Sequence, residues 1–104
     1  MAQAVEALPD VTTTKPRLVF FHSRSCGKCR RVEGFIAQVL QRRHNHGTFV
    51  LVPVDAEERP DVLERFNVDE VPSLVVVTDR QVRGRLKHPR GCREIEGLLG
   101  PWLK

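Results

Sequence analysis

The chain has no tyrosine, one tryptophan and five phenylalanines. Binding to single-stranded nucleic acid relies on aromatic faces set among basic residues, and no such interleaving occurs. The basic residues, 13 arginines among 17, are scattered among Glu57, Glu58, Asp61, Glu64, Asp69 and Glu70. The net charge of +4 and pI near 9.4 therefore read as attraction to acidic protein surfaces, with no nucleic acid partner expected. Cysteine is scarce as well: three residues are too few for a disulfide-stapled scaffold, and the odd count leaves one thiol over. Purely apolar runs stop at about four residues, far short of the roughly 20 that a membrane helix needs. The opening MAQAVEALPDVTTTKP has neither a basic start nor an apolar stretch, so no targeting segment and no membrane contact are expected. A cytoplasmic, reducing location is the resulting expectation, and there a close cysteine pair is catalytic or metal-binding rather than structural.

What remains is a chain of 104 residues, 40% hydrophobic and 29% charged, enough for one small domain with one core. The expected layout is an arm over residues 1–16, with a short helical turn at Ala2–Leu8, and a single domain over 17–104. Arg17–Phe21 (RLVFF) reads as a buried strand between Pro16 and the polar HSRS. Val32, Phe35, Ile36, Val39 and Leu40 recur at helical spacing, predicting an amphipathic helix from Gly27 to Arg43 capped by Ser25. Phe49–Val54 is a second strand, with Pro53 unable to donate to a ladder. Pro60–Arg65 is a short helix with proline in its first turn. Leu74–Val77 is a third strand, Gln81–Leu86 an exposed fourth, and Cys92–Leu103 a last helix. The order β-α-β-α-β-β-α describes an α/β fold: a mixed four-stranded sheet with helices on both faces.

The residues Ser25-Cys26-Gly27-Lys28-Cys29 carry the chemistry. This CxxC lies between a buried strand and a helix start, where partial positive charge and free amides favour a thiolate. Lys28, Arg24, Arg30 and Arg31 add charge nearby. An exposed Cys26 attacks a disulfide, and Cys29 resolves the mixed disulfide. Two other readings fit a CxxC. A structural zinc site wants four ligands, but the remaining candidates are Cys92 and histidines without ligand spacing. His44 and His46 lie roughly 20 Å along the helix. A pair of inert core thiols is the third reading, and the intervening glycine and lysine argue against it.

LVFFHSRSCGKC, then Pro53-Val54-Asp55, then RFNVDEVPSLVVV, with Pro72 falling 43 residues after Cys29, resembles the thioredoxin family over roughly residues 17–103. The resemblance implies a thioredoxin-like fold lacking a full N-terminal strand–helix extension. It implies a thiol–disulfide oxidoreductase acting on protein disulfides, with no cofactor or metal beyond the redox-active Cys26–Cys29 couple. A thioredoxin reductase or glutathione is the implied recharging partner. In this family the proline matching Pro72 is cis, and the residue before it, Val71, offers its backbone to substrate. Ser25, Gly27, Lys28, Val71, Pro72 and Ser73 are thus the expected substrate-binding residues.

Several positions depart from the family. Phe20 stands where thioredoxins keep a buried aspartate, Leu51 where they keep its lysine neighbour, and Ser25 where they keep a tryptophan. Gly34 occupies the place of a helix-kinking proline. The family's substrate-groove glycine has no clean match, with His88 or Gly91 nearest to it. Without the buried acid, His22 and Glu33 are the candidates for proton transfer, the alternative for His22 being a solvated loop histidine. Lys28 stabilises the thiolate, which shifts the couple towards a more oxidising poise. Cys92 is a core filler or an exposed thiol. Two rival functions follow: a redox-independent binding or adaptor module of the same fold, and a carrier of a thiol-bound metal or cluster.

Overall fold

The computed structural model describes residues 15–103. The arm lies outside the described residues except for Lys15 and Pro16, and so does the turn expected at Ala2–Leu8. Strand β1 (Arg17–His22) leads to helix α1 (Gly27–Gln41), a 3-10 segment (Arg42–Gly47) and strand β2 (Val50–Asp55). Helix α2 (Pro60–Arg65), strands β3 (Ser73–Thr78) and β4 (Gln81–Lys87), and helix α3 (Cys92–Leu99) follow.

Local chemistry explains most of these boundaries. Helix α2 starts on Pro60, whose missing N–H costs nothing at a helix start. It stops at Phe66 because Asn67 turns left-handed at φ 57°. The Asn67 and Val68 amides then donate back to the Glu64 and Leu63 carbonyls, at 3.1 and 2.8 Å, closing the helix end in a Schellman motif. The β3–β4 hairpin turns on Asp79 and Arg80, both at positive φ (50° and 62°), the backbone that a tight two-residue hairpin requires. Helix α1 ends two residues before Arg43, because the chain tightens into the 3-10 segment, where buried Asn45 donates to the Arg42 carbonyl at 2.9 Å. Helix α3 ends at Leu99 rather than Leu103, with Gly100 and Pro101 following directly.

The sheet order is β2-β1-β3-β4, with β1 parallel to β2 and antiparallel to β3, and β3 antiparallel to β4. The expected mixed four-stranded sheet is therefore present. Pro53 sits in β2 at the edge of the sheet, where a residue without an N–H is tolerated. Alternation along β1 divides the core in two. Val19 and Phe21 join Val52, Val54, Val62, Phe66, Val75 and Val77 on the α2 face. Leu18 and Phe20 join Cys29, Val32, Ile36, Leu74, Ile95 and Leu99 beneath α1 and α3. Gly84 in β4 lies under α3: a Cβ there would come within 2.8 Å of Leu98 Cδ1. No described helix is long and apolar enough to cross a membrane.

Candidate active site

Strand β1 is buried along its middle and emerges at His22, so the chain surfaces at the carboxyl end of the sheet before turning into α1. Two cysteines meet at this turn. The α1 N-cap is Cys26, not Ser25: the Cys26 sulfur accepts the Cys29 amide at 3.0 Å. A soft sulfur acceptor thus takes the capping role expected of a hydroxyl, because one residue further on the backbone has the extended conformation a cap needs (φ −97°, ψ 101°). Cys26 and Cys29 are joined as a disulfide, with Cα atoms 5.3 Å apart. Cys26 is half-buried and Cys29 is 3% exposed, within the core beneath α1. Gly27 and Lys28 between them are exposed.

Ser25 is exposed and does different work. Its hydroxyl donates to Glu57 Oε1 at 3.4 Å and lies 3.4 Å from the Ser23 hydroxyl. Arg24 beside it reaches Glu58 at 2.6 Å and Asp55 at 3.6 Å. The Asp55 carboxylate also accepts the Glu57 amide at 2.8 Å. The turn after β2 is thereby fastened to the turn that carries the cysteines. Sequence reading counted Arg24 among the cations that charge the site. Its charge is instead met by Asp55 and Glu58, because parallel pairing of β1 with β2 sets His22 beside Asp55 and brings both turns to one edge.

On the other flank, the Val71–Pro72 peptide is cis. Val71 is half-buried and packs on the same core cluster as Cys26. Pro72 and Ser73 are buried. The Ser73 hydroxyl donates to the Glu70 carbonyl at 2.7 Å, so this side chain braces the turn from inside. Two side-chain contacts hold the same turn to the end of β4: Lys87 to Asp69 at 3.0 Å and His88 to Glu70 at 2.6 Å. The hydrogen bond from Lys87 holds the Asp69 carboxyl below its ordinary range. The His88 amide donates to the Pro72 carbonyl at 2.9 Å. His88, then, is the residue that touches the cis-proline turn, while Gly91 is the N-cap of α3. Nothing in the spacing of the sequence pointed to these contacts, which join residues about 18 positions apart.

Beside Cys29 lies a cavity of about 340 Å³, half open to solvent and lined by Phe20, His22, Ser23, Arg24, Cys29, Arg30 and Glu33. His22 is half-buried and its ring stacks on Phe20, with centroids 5.2 Å apart. Both proton-transfer candidates thus open onto the same space as Cys29. Leu51, at the position of the family's lysine, is 43% exposed and takes no part. Cys92 is half-buried at the start of α3, its thiol 3.1 Å from Gln38 Oε1 on α1, away from the cysteine pair. Among the described residues, no group of three or more His, Cys, Asp or Glu side chains could hold a metal ion.

Comparison with known proteins agrees with this geometry. The thioredoxin family model matches residues 5–100. Thioredoxin 1 of Chlorobaculum tepidum is 28% identical over 85 residues, which cover 82% of this chain and 81% of that protein. Mitochondrial thioredoxin of Bos taurus is 24% identical over 89 residues; that match covers 86% of this chain and about half (52%) of the relative. Among solved structures, Trxlp from Edwardsiella tarda superposes with a TM-score of 0.75 at 18% identity, covering 94% of this chain and 86% of that one. Thioredoxin-2, described as a component of malaria parasite protein secretion machinery, gives 0.77 at 14% identity, covering 89% and 88%. At such identities the structures establish the fold.

Proposed function

The chain belongs to the thioredoxin family, and from that premise we propose that it exchanges disulfides with protein substrates through Cys26 and Cys29. Family membership and the close cysteine pair support a thiol–disulfide oxidoreductase in general. The observation that carries the finer reading is the unequal placement of the two sulfurs. Cys26 caps α1 at a half-buried position, and Cys29 is buried in the core one turn behind it. In the reduced protein, the helix terminus and the Cys29 amide favour the Cys26 thiolate. That thiolate attacks the substrate disulfide and releases one substrate thiolate. Cys29 then attacks Cys26, releases the second substrate thiolate and leaves the Cys26–Cys29 disulfide.

The substrate backbone lies along Val71, beside Pro72, with Ser73 bracing the turn. Ser25, Gly27 and Lys28 border the approach to Cys26. Lys28, Arg30 and Arg31 are exposed on α1 and favour acidic partner surfaces, while the tethered Glu57 and Glu58 limit that preference to the α1 side. A thioredoxin reductase or glutathione recharges the couple, in a reducing cytoplasm.

The test is disulfide reduction in a protein substrate such as insulin, with Cys92 replaced by Ser. Cys26→Ser removes exchange entirely, and Cys29→Ser accumulates a mixed disulfide. Retention of exchange by Cys26→Ser would sink the proposal. A double Cys→Ser variant that pulls down the same partners with unchanged affinity would favour an adaptor instead.

A further inference from the structure

Cys29 must lose a proton before it attacks, and burial in apolar surroundings opposes the ionisation of a thiol. It sits among Phe20, Val32 and Ile36, and β1 supplies a phenylalanine beneath it rather than a base. Its open side is the cavity described above, which is far larger than a bound water requires. The charged and titratable groups around that space come from three elements. Arg30 and Glu33 project from α1, and His22 and Arg24 from the end of β1 and the turn after it. Asp55, the register neighbour of His22 on β2, is engaged by Arg24 and by the Glu57 amide.

The arginines are permanent donors and accept no proton. His22 and Glu33 remain. Glu33 lines the space from α1 as an exposed side chain, whereas His22 is half-buried, its ring stacked on Phe20. The His22 backbone is fixed as well, its carbonyl accepting the Ala56 amide at 2.7 Å. An imidazole is also the side chain whose ordinary chemistry takes up and returns a proton near neutrality.

We infer that His22 is the proton acceptor for Cys29, acting through water in this cavity, when the mixed disulfide resolves. The inference rests on the exchange reaction proposed above. The Cys29 S–H proton passes to an imidazole nitrogen, and the thiolate attacks Cys26 Sγ. The Cys26–Cys29 bond forms as the bond from Cys26 to the substrate sulfur breaks. That sulfur leaves with the electron pair and takes the proton back from His22. Two electrons pass from the cysteine pair to the substrate disulfide.

The experiment follows one turnover of the reduced full-length chain, carrying Cys92→Ser, with a single equivalent of a bis(nitrobenzoate) disulfide. Attack by Cys26 releases the first coloured aryl thiolate, and attack by Cys29 releases the second. His22→Gln is expected to leave the first release unchanged and to slow the second about tenfold to a hundredfold near neutral pH. The gap closes in alkaline buffer, where the thiol ionises unaided. An unchanged second release overturns the inference, and so does a slowing without a change in its pH dependence, which marks a structural role. Loss in Glu33→Gln but not in His22→Gln also overturns it. A different result addresses the exchange reading itself: a second release that persists in Cys29→Ser, or is absent from the parent, removes that reading.

Discussion

Phe20 and Phe21 are adjacent in β1, buried to the same degree (2% and 0% exposed), and belong to different halves of the molecule. Strand alternation sends Phe21 towards α2, where it meets Phe66 edge-on at 5.8 Å. Phe20 points the other way, beneath α1, where it supports His22 and walls the cavity beside Cys29. The α2 face is an apolar layer to which neither cysteine of the pair belongs. The α1 face is a core that contains Cys29, one of the two sulfurs of the disulfide. One side of the sheet packs around a cysteine of the pair and the other does not.

The largest expected effect tests that division directly. Phe20→Ala and Phe21→Ala should each cost about 3–5 kcal/mol in urea unfolding. In the protein that stays folded, only Phe20→Ala should alter the rate of disulfide exchange. An equal kinetic change in Phe21→Ala would erase the distinction between the faces.

The cysteines sharpen the same contrast on one turn of helix. Measured against the reduced parent, Cys29→Ser buries a hydroxyl among hydrocarbons and should lose about 1–3 kcal/mol. Cys26→Ser, at the half-buried cap, should stay within roughly 0.5 kcal/mol, since serine is itself a good cap. Equal losses in denaturant unfolding would mean that the two thiols do not differ in environment. Gly84→Ala comes next. Its new methyl meets the far end of the Leu98 side chain, which can yield, so about 1 kcal/mol is expected, at the low end for overpacking. A neutral result by thermal unfolding would show α3 sitting looser on the sheet than the Leu98 contact implies.

The smallest effect concerns pH. The Asp69 carboxyl is held low by its hydrogen bond to Lys87. A carboxyl lowered in the folded state contributes stability above the ordinary carboxylate range and loses it as pH falls through the lowered value. Amide exchange at Glu70 and Val71 should therefore be less protected on acidification than a simple pH correction accounts for. Asp69→Asn should remove that excess. A pH response that survives the substitution would place its origin elsewhere.

The parts of this picture legible in the sequence are those with short-range causes. RLVFF, the 3–4 spacing from Val32 to Leu40, PDVLER and LVVV mark β1, α1, α2 and β3 to within a residue or two. Placing CxxC between a strand and a helix already implied one outer and one inner cysteine. Ser25 is the cap by residue type and Cys26 the cap in the structure, because capping preference ranks hydroxyls and amides and carries no information about a neighbouring sulfur with the required backbone angles. Apolar spacing extends the last helix to Leu103, but Trp102 and Leu103 pack on the core without being helical.

Residue identity and spacing alone determined the element order, the four strands and the sulfur pair at a helix start, since each depends on contacts within a few positions or on alternation along one strand. Only the tertiary structure decided that Arg24 is matched by Asp55 and Glu58, and that Lys87 and His88 hold the cis-proline turn. It also decided that His22, Glu33 and Cys29 face one cavity. These arrangements join distant residues through the order and register of four strands, and no local pattern encodes which charge will find which.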